Sequence, residues 1–283
     1  LDEVKLMNIK EEYERLKDLD ARREAILKSI EEQEKMTPEL RQKIDAALTM
    51  TELEDIYLPY RPKRRTRATI AREKGLEPLA AIIMDQKEND PSLKAEEFLN
   101  DYVATVEDAM AGASDIIAEW VSEDEKARKQ LRYLFEKEAV IYSKVVKGKE
   151  AEGIKYSDYY NWSESLKKCP SHRLLAMRRG EEEGFLKLSV EPSEENALDM
   201  LNKIFIKGKN ASSDLVADAV KDSWKRLLSS SMETEFRNIS KEKADIDAIT
   251  VFAENLRQLL LGSPLGEKNV LAIDPGFRTG CKV

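Results

Sequence analysis

From Leu6 onward the apolar positions Ile9, Tyr13, Leu16, Leu19, Ile26 and Ile30 recur at three, four and seven, the spacing that places side chains on one helix face. The pattern predicts a long amphipathic helix ending before Thr37-Pro38. There Thr37 is suited to cap the next helix and Pro38 to open it, since the first turn needs no backbone donor. Leu40, Ile44 and Leu48 supply its expected buried face. Thr51-x-x-Glu54 reads as a capping box for a third helix, which Pro59 and Pro62 stop.

The segment from Leu58 to Ala68 is the least helix-like of the first half, because both prolines bias their predecessors to extended geometry. Helical pattern resumes at Ile70, breaks at Gly75, and restarts near Pro78 and again at Asp90-Pro91. A further helix is expected over 106–121, with Ile116, Ile117 and Trp120 inward. Ser122-x-x-Glu125 reads as a second capping box, opening a helix through Leu131, Leu134, Phe135 and Ile141. The first 147 residues are therefore expected to be almost entirely α, and 148–153, bounded by Gly148 and Gly153, is the first plausible boundary.

Beyond it come four aromatics, Tyr156, Tyr159, Tyr160 and Trp162, spaced too irregularly for one helix face. A short helix over 163–168, a break at Pro170 and a helix over 171–179 ended by Gly180 make a helix-turn-helix-like segment. Residues 185–190 alternate Leu186, Leu188 and Val190 against Lys187 and Ser189, the period of a half-buried strand. From 193 to 261 the pattern is helical again, and Gly262 and Pro264 end it. Finally Val270-Leu271-Ala272-Ile273, an Asp274-Pro275-Gly276 turn and Cys281-Lys282-Val283 read as a β-hairpin barely begun. The chain is thus expected to be a fragment of a longer protein, also because Leu1 replaces an initiator Met.

Composition supports helices: 36% of the residues are charged, with 11 Gly and 9 Pro in 283. No apolar run matches a membrane span and no signal peptide is visible, so a soluble cytoplasmic protein with no membrane partner is expected. Cys169 and Cys281 stand far apart and His172 is the single histidine, which leaves neither a disulfide framework nor a Cys/His zinc site. No cofactor or metal is expected. The net charge of −8 argues against a polyanionic partner, but its distribution argues the reverse. Arg61, Lys63, Arg64, Arg65, Arg67, Arg72 and Lys74 face one acid, Glu73, and a second acid-free stretch holds Lys167, Lys168, Arg173, Arg178 and Arg179.

Three blocks resemble one family. Leu58-Pro59-Tyr60-Arg61-Pro62-Lys63-Arg64-Arg65-Thr66-Arg67 with Ala71-Arg72-Glu73-Lys74-Gly75-Leu76-Glu77-Pro78-Leu79-Ala80, then Pro170-Ser171-His172-Arg173-x-x-Ala176-x-x-Arg179-Gly180, then Ile273-Asp274-Pro275-Gly276-Phe277-Arg278-Thr279-Gly280-Cys281-Lys282, are similar to the bacterial Tex transcription accessory proteins. The resemblance covers essentially the whole chain. It implies a mainly α, multi-helix Tex-like region over 1–147, a helix-turn-helix-like and helical segment over 148–266, and over 267–283 the first hairpin of an RNase H-like (YqgF-type) domain. In that family helix-hairpin-helix modules and an OB-fold RNA-binding domain follow, and a eukaryotic elongation factor that binds RNA polymerase and histones is related.

The resulting expectation is a nucleic-acid-binding transcription accessory factor, acting on RNA or DNA without sequence specificity. Arg61, Lys63, Arg64, Arg65 and Arg67 either track a phosphate backbone or pair with acidic helices of the same chain. Arg173 and Arg178 either face a duplex from a recognition helix or belong to a structural unit, with His172 a cap or core-edge residue. The aromatic cluster either stacks on bases or joins subdomains, the latter preferred. Asp274 stands where RNase H-like nucleases carry their first metal-binding carboxylate, but a two-metal site needs several, so no catalytic role is expected. The alternatives are a protein scaffold docking on the transcription machinery and, more weakly, a truncated nuclease.

Overall fold

The computed structural model describes residues 3–276 and 280–282. Three N-terminal helices, α1 (Glu3–Glu32), α2 (Pro38–Ala46) and α3 (Met50–Tyr57), enclose a small core of Leu19, Ile26, Ile30, Ile44 and Leu53. Thr37 caps α2 as expected, accepting from the Leu40 N–H at 3.2 Å. The next cap is displaced from the expected one. Thr49, not Thr51, accepts from the Glu52 N–H, while the Glu52 carboxylate accepts from the Leu48 N–H. Leu48, expected on a buried face, precedes that cap and is 75% exposed.

A 3-10 turn, Leu58–Tyr60, leads into the extended basic loop 61–66 and then α4 (Arg67–Glu73). Gly75 takes φ +82°, a left-handed conformation that suits glycine, between α4 and α5 (Glu77–Asp85). The short α6 (Pro91–Ala95), α7 (Val106–Glu123) and α8 (Glu125–Glu138) follow. Ser122 does not cap α8: its hydroxyl donates to the Glu119 carbonyl within α7, and Asp124 caps α8 by accepting from the Ala127 N–H at 2.7 Å.

The helix expected to run through Ile141 stops at Glu138, and β1 (Val140–Val145) begins. It is the central strand of an antiparallel sheet ordered β2-β1-β3, with β2 (Asn161–Ser165) and β3 (Leu186–Glu191) on either side. The boundary expected at 147/148 falls between β1 and both partners. The short helix expected over 163–168 is instead β2 and a 3-10 turn, Leu166–Lys168, because Asn161–Ser165 completes the backbone hydrogen bonding of β1. The following α9 (Ser171–Glu182) runs past Gly180, which lies inside the helix: a Cβ there would stand 2.6 Å from Leu186 Cδ1. Glycine at this position admits β3 against α9.

After β3 come α10 (Glu194–Phe205) and α11 (Ala211–Ser223), which passes through a π-helical turn, Trp224–Leu228, into the 32-residue α12 (Ser229–Leu260). A second, larger core draws on α4 to α12 and the sheet, from Ala68 to Ala244. The aromatic cluster joins it: Tyr156 is buried against Phe185, and Tyr159 meets Trp162 edge-on. The expected strand over 270–273 is irregular chain. Pairing begins at Asp274, in β4 (Asp274–Gly276) against β5 (Gly280–Lys282), while the residues between them lie outside those described. Among the described residues no helix is long and apolar enough to cross a membrane.

Candidate nucleic-acid interface

The basic loop is held over α7 by its own chemistry. Thr66 ends it, capping α4 by accepting from the Thr69 N–H and donating its hydroxyl to Glu119 at 3.2 Å. Glu119 and Glu123 lie one helical turn apart on α7, so both carboxylates face the loop. Lys63 bonds Glu123 and stands 3.3 Å from Glu119; Arg72 reaches Glu119 at 2.5 Å. Burial pushes the Glu119 carboxyl up, but Arg72 and Lys63 outweigh it and hold it below its ordinary range. For Glu123 burial wins over its bond to Lys63 and the carboxyl is raised.

The loop therefore divides. Lys63 is committed to α7 and Arg65 to the exposed Glu73 at 2.8 Å, whereas Arg61, Arg64 and Arg67 are exposed and make no ion pair among the described residues. Arg61 overhangs a cleft of about 550 Å³ between the loop, α7 and the start of α12, where Arg226 pairs with Asp222 and Asp115. Burial raises the Asp115 carboxyl against the opposing fields of Arg226 and Arg67.

The second basic stretch is more heavily engaged. Arg173 binds Glu164 at 2.7 Å and lies 4.9 Å from the centre of the Trp162 ring. Arg178 is half-buried, 3.6 Å from Glu181. His172 is exposed, and Ser171 beside it donates to Asp247 on α12. Burial pushes the Cys169 thiol up to about 12, so it stays protonated and unreactive at neutral pH. Asp274 opens β4, exposed, and among the described residues no three His, Cys, Asp or Glu side chains converge as a metal site would require.

Sequence reasoning missed Glu119, Glu123 and Asp55. Asp55 on α3 is buried, accepting from Arg128 at 2.9 Å and from Arg132, which also binds Glu235 on α12. Burial alone would lower the Arg132 pKa, and the two carboxylates reverse that and raise it. For the two glutamates the sequence did carry a sign, the four-residue spacing of Asp115, Glu119 and Glu123 along one side of α7.

The fold defines a mainly α scaffold with one small antiparallel sheet and an exposed basic segment over α7, and comparison with known sequences narrows the class. A family model described as "Tex central region-like" matches residues 86–252. The chain belongs to the Tex family. It is 40% identical over 288 residues to the transcriptional accessory protein Tex of Neisseria gonorrhoeae, and 41% over 276 residues to the protein tex of Bordetella pertussis. It is 27% identical over 303 residues to the human S1 RNA-binding domain-containing protein 1. These alignments take in 100%, 92% and 100% of this chain, but only 38%, 35% and 30% of the respective relatives.

Proposed function

We propose that this chain is a nucleic-acid-contacting scaffold of a transcription accessory factor, and that Arg61, Arg64 and Arg67 bind the phosphate backbone. The observation that carries this reading is the selective pairing along the loop and α4. Lys63, Arg65 and Arg72 are matched by carboxylates, and three neighbouring arginines in an acidic chain are left exposed. Unpaired guanidinium groups on a loop bind phosphates by releasing counterions, without reading sequence. The names of the relatives, a transcriptional accessory protein and an RNA-binding-domain protein, support the same reading.

Arg64→Glu with Arg67→Glu should weaken binding of mixed-sequence DNA and RNA and flatten the dependence of log K on log salt by roughly 0.7–0.9 for each phosphate that is no longer neutralised. The melting temperature should stay nearly constant, because exposed charges contribute within about 0.5 kcal/mol. Unchanged affinity in the double variant would remove the loop from the interface.

A second reading, docking on the transcription machinery, is favoured by exposed apolar seams. Leu6, Ile9, Tyr13 and Leu16 lie open on α1, and so do Ile246, Ile249, Phe252, Leu256 and Leu259 on α12 beyond its last buried residue, Ala244. Contiguous apolar surface of this kind marks interaction sites. If it is used, Phe252→Ser with Leu256→Ser should abolish binding to purified RNA polymerase and leave oligonucleotide affinity untouched.

A further inference from the structure

The sheet has an inner and an outer face, and the outer one carries chemistry that the basic loop does not. Along β1, Ile141 and Ser143 turn into the core while Tyr142 and Lys144 turn away, as strand alternation requires. The register sets Ser163 of β2 and Ser189 of β3 on either side of Tyr142. It likewise sets Asn161 and Lys187 on either side of Lys144. Tyr142 is 37% exposed at the middle of this face.

Lys144 and Lys187 are directly opposite, both exposed, and neither has an ion-pair partner among the described residues. Like charges placed opposite each other oppose strand pairing. Glu191, the acid on this face, stands opposite Val140 at its other end and pairs with neither lysine, so the doubled positive charge works against stability and leaves a place for an anionic counterpart.

The position of the helices restricts what that counterpart is. The outer edge of β3 is already occupied: Glu233 accepts from the Val190 N–H at 3.1 Å, and Arg237 donates to the Leu188 carbonyl at 3.0 Å. Addition of a peptide strand at that edge is blocked, and the two lysines and the tyrosine lie on the face rather than on an edge. An aromatic ring flanked by amide and hydroxyl groups, with two cations beside it, matches an unstacked base and its neighbouring phosphates. A duplex keeps its base faces inside the stack, where a ring on a flat sheet does not reach them.

We propose that the outer face of the sheet, centred on Tyr142 with Lys144 and Lys187, binds single-stranded nucleic acid, with one base lying on the tyrosine ring. The site rests on the nucleic-acid reading above but uses none of the loop arginines.

The test is fluorescence anisotropy on a labelled single-stranded oligonucleotide of about 12 nucleotides and on its duplex. The variants are Tyr142→Ala, Tyr142→Leu, Lys144→Gln with Lys187→Gln, and Lys187→Glu, with Arg64→Glu/Arg67→Glu as the loop control. Both tyrosine variants should bind the single strand about five- to a hundred-fold more weakly and bind the duplex as the unaltered protein does. The double lysine variant should reduce the single-strand salt slope by about 1.4. Lys187→Glu should weaken binding while melting no lower than the parent, an outcome a purely structural lysine would not produce. Tyr142→Leu keeps apolar bulk at the position and guards against a folding artefact in the alanine variant. Should all sheet variants bind like the parent while the loop control binds weakly, the sheet face is idle and the loop reading stands. If the unaltered protein binds neither strand form, both readings fall together.

Discussion

Two glutamates a helical turn apart, Glu119 and Glu123, share one lysine yet are shifted in opposite directions. Glu119 also has Arg72, and its carboxyl lies below the ordinary 4.5. Its contribution to stability is present above that ordinary value and is lost as pH falls through the depressed one. Glu123 lies above 4.5, so the fold prefers its protonated form, and stability is lost as pH rises through the raised value. Glu119→Gln should therefore destabilise the protein at pH 7 by about 1–3 kcal/mol, since it leaves half-buried Arg72 with Glu77 alone and Lys63 with Glu123 alone. Glu123→Gln should be close to neutral. Urea unfolding at pH 7 reads both, and repeated below pH 4.5 the Glu119→Gln deficit should shrink; equal losses at pH 7 would contradict the assignment. Nothing in the sequence around Lys63 separates it from Arg61 or Arg64. Their different roles come from carboxylates that lie 60 positions away in the case of Lys63 and Glu123.

Element boundaries were legible where the code is local and unique, and misread where two local codes overlap. Thr49-x-x-Glu52 and Thr51-x-x-Glu54 both satisfy the capping pattern. The choice goes to Thr49 because α2 closes at Ala46, the Ala47 carbonyl is taken by Arg23 of α1 at 2.8 Å, and the chain is extended at Thr49 and helical from Met50, which leaves Thr51 inside α3. Thr49→Ala should cost about 1 kcal/mol in equilibrium unfolding and Thr51→Ala almost nothing; the reverse order would place the cap where sequence alone put it. The sequence pattern merges β1 with the preceding helix for a different reason. Val140, Ile141, Val145 and Val146 suit a strand or the end of a buried helix, and short apolar runs are ambiguous between the two. Its partner strands begin at Asn161 and Leu186, so the decision is made by pairing rather than by propensity. The outer face bearing Tyr142 exists only once those partners pair.

At the scale of the molecule, two hydrophobic cores meet through charge. The α1–α3 core and the larger one that follows it are bridged by Asp55 with Arg128 and Arg132, by Glu235, and at the surface by Lys43 with Glu125 at 2.5 Å. Removing one member of such a buried network leaves the others uncompensated, so Asp55→Asn should cost about 3–5 kcal/mol. Because it acts at the junction, it should also raise the rate of proteolysis in the loop 61–66 ahead of global unfolding. Proteolysis unchanged from the parent would mean that apolar packing alone joins the two parts. The helical class, most helix positions, the α2 cap at Thr37, the strand through Leu186, Leu188 and Val190, and the family are legible in the chain alone, because these rest on periodicity and motifs read within a few turns of chain. Which cations face carboxylates, that β1 is a strand, and that Gly180 lies within a helix emerge from long-range packing alone. Each depends on groups brought together from distant positions, where burial and pairing outweigh local preference.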